Sequence, residues 1–253
     1  MRIQRTNDPQ DEQLFDGPAN RAAQPKTHHD FGPWFHNLHL PDGDQTSPRH
    51  PMGDYPASAW AKIRRALPES LEDWSVLNVG CNGGYFCLEL AALGARVLGC
   101  DRDPHCVHQA QWAAEQFGLS DRIKFRQMHV YEIARSAERY DLVLFMGAFY
   151  ELRYPALALD IMAERADKTL IFQPFSSISP FKNQNSAPMQ LSTLEGLGFE
   201  VSSMGQDEIF ICQRHPDSSA LPQAWDPQCA AEIAAAVGPR YHRIERPARP
   251  LKN

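Results

Sequence analysis

A run of small residues between two apolar segments carries the most specific chemical signal in the chain. The loop-forming residues are Gly80, Cys81, Asn82, Gly83 and Gly84. They follow the apolar run at 76–79 and precede a helical pattern, so we expect a strand, a tight turn and a helix. A second apolar run, at 95–100, ends in Asp101. A glycine-rich first turn with an acid after the second strand is typical of α/β folds that hold a nucleoside-bearing cofactor.

The spacing of the glycines discriminates among such cofactors. A dinucleotide fingerprint requires G-x-G-x-x-G, but its second and third glycine positions hold Asn82 and Tyr85 here. The Gly-Lys-Ser/Thr of a P-loop is absent from the sequence. S-adenosylmethionine (SAM) remains, because it carries no phosphate and its carboxylate can be received by the backbone N–H groups of residues 80–84 and the following helix N-terminus. Asp101 is expected to bind both ribose hydroxyls, the alternative being a helix-capping or surface carboxylate.

Alternation of strands and helices predicts an α/β fold with a Rossmann-like, doubly wound and mostly parallel sheet. The expected strands are 75–80, 96–100, 123–127, 141–146 and 169–173, followed by a hairpin of 199–204 and 208–213. The expected helices are 57–67, 84–94, 104–117, 131–138, 154–165, 190–197 and 229–237. The hairpin should make one edge strand antiparallel.

Composition divides the chain into four segments. We predict a flexible N-terminal arm at 1–30, a lid or cap segment at 31–70, a SAM-binding catalytic domain at 71–213 and a C-terminal extension at 214–253. Large apolar residues crowd the start of the second segment, so it is either a strap over one edge of the core or a lid over a ligand. Basic residues are concentrated in the last fourteen positions, and a solvated tail is favoured there over an anion-binding role.

Charge and cysteine usage narrow the class of protein. The net charge of −6 disfavours a dedicated nucleic-acid binder. The six cysteines form no CxxC pair, which predicts buried free thiols, no metal site and a cytoplasmic location. The first residues show no apolar signal-peptide core, and no apolar run reaches membrane-spanning length.

The loop sequence NVGCNGG resembles motif I of class I SAM-dependent methyltransferases. Gly80 and Gly84 match the first and third glycines of that motif, Asn82 stands at the second, and Asn78 replaces the usual acid. Further segments resemble a subgroup related to the tRNA uridine-5-oxyacetate carboxymethyltransferases: WFHNLHLPDGDQT, HPMGDYP, AQWAAEQFGL and FMGAFYELRYP. The resemblance implies a seven-stranded sheet ending in an antiparallel strand, and a lid that contains Phe35, Asn37 and Tyr55.

One departure from the subgroup bears on the cofactor. The carboxymethyltransferases hold the extra carboxylate of carboxy-SAM with a lysine in the N-terminal segment. The corresponding stretch here, PWFHNLHLPDG, has no lysine, so plain SAM is the predicted cofactor. The predicted cofactor-binding residues are Asn78, Gly80, Cys81, Asn82, Gly84, Asp101, Arg102, Met128, His129, Met146, Tyr55 and Phe35.

The predicted catalytic residues are Tyr150, Glu151 and His129, because they follow strands whose carboxyl ends face the ligand in an open α/β sheet. Tyr150 is expected to orient the acceptor or to place its ring against the sulfonium, rather than merely to pack on the core. Glu151 has two equally open roles. It could act in the site, as a general base or by binding a cationic acceptor, or it could simply be a charge favoured by a helix dipole. His129 is more often a satisfied polar residue than a catalyst.

These features favour a SAM-dependent methyltransferase acting on a small-molecule acceptor. Four alternatives stay open. SAM could cyclise on its own amino group and release methylthioadenosine, for which the replacement at Asn78 is a weak hint. The others are carboxymethyl transfer, modification of a tRNA wobble uridine with the basic tail on phosphates, and a regulatory SAM-binding protein without turnover. The sequence predicts no membrane partner and leaves the oligomeric state open.

Overall fold

The computed structural model describes residues 27–149, 152–174, 187–204 and 208–216. Within them, seven strands form one sheet: β1 Ser75–Val79, β2 Arg96–Asp101, β3 Ile123–Gln127, β4 Tyr140–Met146, β5 Ala166–Gln173, β6 Phe199–Ser203 and β7 Phe210–Arg214. The α-helices are α1 Ala57–Ile63, α2 Tyr85–Ala92, α3 Pro104–Gln116, α4 Pro155–Arg165 and α5 Ala187–Gly196. Short 3₁₀ helices cover His28–Phe31, Arg64–Ala66 and Val130–Arg135.

The strand order is β3-β2-β1-β4-β5-β7-β6, with β1 at the point where the order reverses. Strands β1 to β5 are parallel, and β7 pairs antiparallel with both β5 and β6. The predicted fold class is therefore confirmed. The antiparallel strand is not the edge strand, however, because β7 lies between β5 and β6. Burial accounts for this order, since Phe210, Ile211 and Cys212 are all buried in β7 whereas β6 exposes Glu200 and Ser203.

Three predicted elements have different limits in the structure. Strand β5 begins at Ala166 rather than 169. The apolar pattern did not include its first residues, because Asp167 and Lys168 are exposed beside a register shift in β4. The helix expected at 131–138 is a 3₁₀ helix that ends when Ser136 turns extended. The helix expected at 57–67 divides into α1 and a 3₁₀ turn, Arg64–Ala66.

Residues 27–56 form an extended segment, hereafter the strap, that packs on α3. The Trp34 ring lies 5.8 Å from the Trp112 ring, centroid to centroid, and Gln109 Nε2 donates to the Pro33 carbonyl at 3.1 Å. The strap begins earlier than the sequence indicated. Residues 27–30, assigned to the flexible arm, include a 3₁₀ turn in which His28 is buried and accepts a hydrogen bond from Trp34 Nε1 on its carbonyl oxygen. Residues 1–26 of the predicted arm lie outside the described part of the chain.

A single amide side chain cross-links the strap. Asn37 Nδ2 donates to Gln45 Oε1 at 2.9 Å and to Asp54 Oδ1 at 3.0 Å, while Asn37 Oδ1 accepts from the Ser47 amide at 3.0 Å. These bonds tie together parts of the strap up to 17 residues apart. The strap is thus an ordered unit with its own polar network, not only a cover of apolar side chains.

No helix in the described residues is both long and apolar enough to cross a membrane.

Candidate functional site

The loop between β1 and α2 has a backbone that favours glycine at its ends. Gly80 and Gly84 have φ values of +73° and +87°, and Asn82 has +49°, which asparagine tolerates better than most residues. A Cβ on Gly84 would lie 3.0 Å from the Ala110 Cβ, so this glycine also lets α2 begin close against α3. The Trp34 ring covers Gly83 so closely that a Cβ there would lie 3.0 Å from it.

Every backbone amide of this loop already has a partner inside the protein. Those of Gly80 and Cys81 donate to the Cys100 carbonyl, at 2.8 and 3.0 Å. The Asn82 amide donates to Asp101 Oδ2 at 2.9 Å, and the Gly83 amide donates to Asn82 Oδ1 at 2.7 Å. The Gly84 amide donates to the Cys81 carbonyl at 3.0 Å. The sequence predicts that these amides and the N-terminus of the following helix receive a ligand carboxylate. In this conformation the five amides bond within the protein, so the first turn of α2 is left for that role and the role of the loop amides stays a prediction.

Asp101 ends β2 and faces the loop. Its Oδ2 accepts from the Asn82 amide and its Oδ1 from the Asp103 amide at 3.0 Å. Burial raises the pKa of the Asp101 carboxyl, and the two amide bonds oppose that rise. The capping role considered for Asp101 belongs to Asp103, whose Oδ1 accepts from the His105 amide at the start of α3. Each Asp101 oxygen keeps a second lone pair for a ligand hydroxyl.

A shallow pocket of about 240 Å³ opens beside Asp101 at the carboxyl ends of β2 and β3. Its lining residues are Arg102, Gln127, Met128, His129 and Glu132. Arg102, Met128 and His129 were predicted from the sequence, and the structure brings all three together. Gln127 and Glu132 were missed, although the H-x-x-E spacing of a capping box was visible at 129–132. The Met128 amide donates to the Asp101 carbonyl at 2.8 Å, which fixes the pocket against the loop.

His129 caps the 3₁₀ helix that follows β3. Its Nδ1 accepts from the Tyr131 amide at 3.4 Å, and its own amide donates to Glu132 Oε2 at 2.7 Å. The adjacent Tyr131 is fully buried, and its hydroxyl accepts from the Tyr154 amide at 2.9 Å. The structure therefore supports the satisfied polar role for His129, and its role in catalysis stays a prediction.

Three other predicted cofactor contacts lie beneath or beside the loop. Asn78 is 2% exposed and its Nδ2 lies 3.2 Å from Cys87 Sγ, so this side chain connects β1 to α2 and its contact with a cofactor stays a prediction. A hydrogen bond with Cys87 raises the pKa of the Cys81 thiol, and burial makes the next largest contribution in the same direction. Because the thiolate is the reactive form, Cys81 is excluded as a ready nucleophile. Met146 is buried at the end of β4, and its carbonyl oxygen lies 3.8 Å from where a Cβ on Gly80 would be.

The strap contributes an aromatic cluster next to the start of α2. Phe35 and Tyr55, both predicted as lid residues, have ring centroids 5.6 Å apart. Two histidines complete the cluster: His50 stacks on Tyr55 at 5.4 Å, and His36 lies 6.4 Å from Tyr85. Neither histidine was among the residues predicted from the sequence to bind the cofactor. Their positions flanking the other lid residues were the available signal.

The structure also contains a group of possible metal ligands that the sequence reasoning did not foresee. Donor atoms of His28, His29 and Asp44 all lie within 4.8 Å of one another, at the beginning of the strap. His28 is buried, and its Nδ1 lies 3.8 Å from Asp44 Oδ2.

Several predicted functional residues lie outside the described part of the chain. These are Tyr150, Glu151, residues 175–186 of the polar loop and the basic tail at 240–252. Their predicted roles therefore remain predictions.

Comparison with known proteins agrees with this arrangement. Residues 76–166 match the model of a family described as a methyltransferase domain. The chain is 34% identical over 125 residues to a tRNA U34 carboxymethyltransferase from Cellvibrio japonicus, covering 48% of this chain and 35% of that protein. It is 38% identical over 99 residues to a ubiquinone biosynthesis O-methyltransferase from Cereibacter sphaeroides, covering 39% of each. The chain thus spans well under half the length of these relatives.

The fold has a counterpart among solved structures. The crystal structure of EvdMO1 superposes with a TM-score of 0.52 and 20% sequence identity, over 74% of this chain and 45% of that one. Together with the strand order, it agrees with the predicted Rossmann-like α/β fold. Residues 76–166 are therefore similar to a methyltransferase domain.

Proposed function

We propose that this protein is a SAM-dependent methyltransferase that acts on a small-molecule acceptor. One observation carries the proposal: the Asp101 carboxylate accepts from the Asn82 amide of the glycine loop, while the Asp101 carbonyl accepts from the amide of Met128, which lines the pocket at the carboxyl ends of β2 and β3. In an open α/β sheet, ligands bind where the strand order reverses, and β1 occupies that point here.

The residues present fit the adenosine part of SAM. The pocket beside Arg102, Met128 and His129 would hold the adenine, with the Met128 side chain against its face. Asp101 would accept hydrogen bonds from the ribose hydroxyls while its amide bonds hold the carboxylate in place. When bound, SAM supplies an electrophilic methyl group on a sulfonium, and positioning the acceptor in line with it is the main task of the protein.

The acceptor side of the site involves residues at the ends of β4 and β5. We propose that Tyr150 orients the acceptor and that Glu151 removes its proton or pairs with a cationic group. A positioned base is needed only if the acceptor atom carries a proton, so the role of Glu151 depends on the substrate.

Two observations favour a small molecule over RNA. The net charge of −6 provides no general attraction for phosphates. Several relatives are named as O-methyltransferases of ubiquinone biosynthesis, which implies a small acceptor. The similarity to a tRNA U34 carboxymethyltransferase favours a second candidate function, transfer of a methyl or carboxymethyl group to a tRNA wobble uridine.

Cyclisation of SAM remains an alternative. Its hint in the sequence is the replacement of an acid by Asn78, and in the structure the Asn78 amide nitrogen bonds to Cys87. No contact within the described residues favours cyclisation or a purely regulatory role, and the same experiment tests both.

The test is to incubate the purified protein with SAM, alone and with cell extract, and to analyse the products by mass spectrometry. Formation of S-adenosylhomocysteine only when extract is present is the expected result. Extract treated with RNase should remain an equally good acceptor, and a carboxymethylated product should be absent.

Three outcomes would overturn the proposal in different ways. Methylthioadenosine produced by the protein alone would establish cyclisation. Loss of the acceptor on RNase treatment would establish the tRNA function. Tight binding of SAM without turnover in any extract would establish a regulator.

A further inference from the structure

Two buried histidine nitrogens of the strap have no hydrogen-bond partner among the described residues: His36 Nδ1 and His50 Nε2. The side chains belong to residues that are 4% and 8% exposed. An unsatisfied polar atom in the interior costs about 1–3 kcal/mol, so native proteins retain few of them. Two in one aromatic cluster indicate a polar group that the cluster is shaped to receive.

The cluster lies beside the glycine loop at the start of α2. With the adenosine in the pocket at β2 and β3, the rest of the cofactor would extend across the loop of β1 toward α2. His36 lies at that end, with its Cβ 3.8 Å from the position of a Cβ on Gly83 and its ring 6.0 Å from Phe86. Tyr55 links the two histidines, with centroids 6.0 Å from His36 and 5.4 Å from His50.

Hydrogen bonding assigns the proton of His50. Its Nδ1 accepts from the Met52 amide at 3.1 Å, so the neutral ring carries its proton on Nε2. The unpartnered nitrogen of His50 is therefore a donor, which suits a carboxylate. This donor matters because the loop amides at 80–84 are all engaged within the protein.

His36 offers the complementary group. Burial, with a smaller contribution from nearby His50, lowers the pKa of His36 to about 3, so the ring is neutral at ordinary pH. In the Nε2–H tautomer, His36 Nδ1 is a lone-pair acceptor, which suits an ammonium. The usual acid at the end of β1 is replaced by Asn78, which is occupied by Cys87.

We propose that the strap binds the amino-acid end of SAM, with His36 Nδ1 accepting from the ammonium and His50 Nε2–H donating to the carboxylate. This inference rests on the proposed function, because it presumes that SAM is the ligand. Two neutral imidazoles recognise the zwitterion without adding net charge beside the sulfonium. Phe35, 40% exposed and 5.1 Å from His50, is the solvent-facing ring of the cluster.

The test compares three thioether ligands that differ only in the amino-acid end. S-adenosylhomocysteine has both groups, decarboxylated S-adenosylhomocysteine keeps only the amine, and methylthioadenosine has neither. Dissociation constants are measured by calorimetry for the full-length protein and its variants. Methylthioadenosine binding serves as the control for an intact adenosine pocket.

His36→Phe removes the acceptor but keeps an aromatic ring. We expect it to bind both amine-containing ligands about 10- to 100-fold more weakly and methylthioadenosine unchanged. His36→Asn, whose Oδ1 lies near the position of Nδ1, should recover most of the affinity. His36→Phe should also raise the melting temperature of the free protein, because it removes an unsatisfied atom, whereas loss of a structural histidine would lower it.

His50→Phe should weaken the binding of S-adenosylhomocysteine by a similar factor and leave the affinity for the decarboxylated ligand unchanged. His50→Gln should recover the affinity for S-adenosylhomocysteine, because its side-chain amide is also a donor. Equal losses for all three ligands, or no loss for any, would overturn the inference. Wild-type protein that binds S-adenosylhomocysteine and methylthioadenosine equally tightly would also overturn it while leaving the proposed function intact. Wild-type protein that binds neither SAM nor S-adenosylhomocysteine would instead refute the proposed function.

Discussion

Replacing Asp101 with asparagine tests the ribose contact on which the proposed site depends. The carboxylate has two oxygens, and each accepts one backbone amide, from Asn82 or Asp103, while facing the site. Asp101→Asn keeps the size of the side chain and one acceptor oxygen. It replaces the other oxygen with an NH₂ group that must face an amide donor.

The expected loss follows from counting the affected bonds. Two ribose hydroxyls donate to a charged acceptor in the wild type, and charge-assisted bonds contribute about 1.5–3 kcal/mol where neutral ones contribute about 1 kcal/mol. Losing the charge on one bond and the acceptor on the other should therefore cost about 2–5 kcal/mol, or roughly 30- to 5,000-fold in affinity for SAM. Calorimetric titration with SAM measures this directly.

Asp103→Asn is the matched control, because it makes the same chemical change two residues away. Asp103 caps α3 through the His105 amide, and asparagine is an equally good cap, so SAM affinity and stability should both remain near wild type. A second readout uses pH. Because burial raises the pKa of Asp101, SAM affinity of the wild type should fall as the pH drops through that raised pKa, and Asp101→Asn should lack this dependence. Asp101→Asn protein that binds SAM as tightly as wild type would refute the ribose contact.

Three further predictions concern stability. Gly84→Ala should lower the free energy of unfolding in urea by about 1–3 kcal/mol, because its φ is +87° and the new Cβ would lie 3.0 Å from Ala110. Gly118→Ala is the control, because Gly118 has a φ of +66° and open space around it, so this variant measures the cost of the backbone conformation alone. Trp34→Ala should cost about 3–5 kcal/mol because the ring is buried between Gly83 and α3, and a loss under 1 kcal/mol would mean that the strap is not anchored there. Burial lowers the pKa of His36 from its ordinary 6.5 to about 3. As the pH falls, the His36 ring therefore takes up a proton in the unfolded chain before it does so in the folded protein. The free energy of unfolding should fall as the pH drops below 6.5, by about 2 kcal/mol at pH 5. His36→Phe should flatten that part of the profile, and an unchanged slope in urea melts across pH 5–7 would contradict the buried neutral ring.

Local patterns in the sequence predicted the sheet well because each strand is short, apolar and followed by a turn residue. Arg102, Met128 and His129 were predicted as cofactor-binding residues, and the structure places all three around one pocket, since the carboxyl ends of neighbouring parallel strands meet at one edge. The order of the last two strands could not be obtained this way. It depends on which member of the hairpin buries more apolar surface against β5, and β7 does so with Phe210, Ile211 and Cys212.

The role of each loop residue was harder to predict than the loop itself. Nothing in the motif shows that the Gly83 amide bonds to the neighbouring Asn82 side chain, or that Asn78 bonds to Cys87. Both follow from side-chain positions that only the packed structure sets. The histidines of the strap were missed for a related reason, because an unsatisfied nitrogen is a property of surroundings and not of spacing.

These two gaps have one physical consequence. The sequence predicts that the loop amides and the following helix N-terminus receive the carboxylate of SAM, and Asn78 replaces the acid that is usual in the resembled family. In the structure the loop amides and Asn78 bond within the protein, which leaves the first turn of α2 and the strap beside it to meet the charges on that end. The strap covers Gly83 through Trp34 and places His36 and His50 beside the start of α2, so it is a second element that can meet those charges. Discrimination between SAM and cofactors altered at that end should therefore depend on the strap, while affinity for the adenosine portion depends on Asp101 and its pocket.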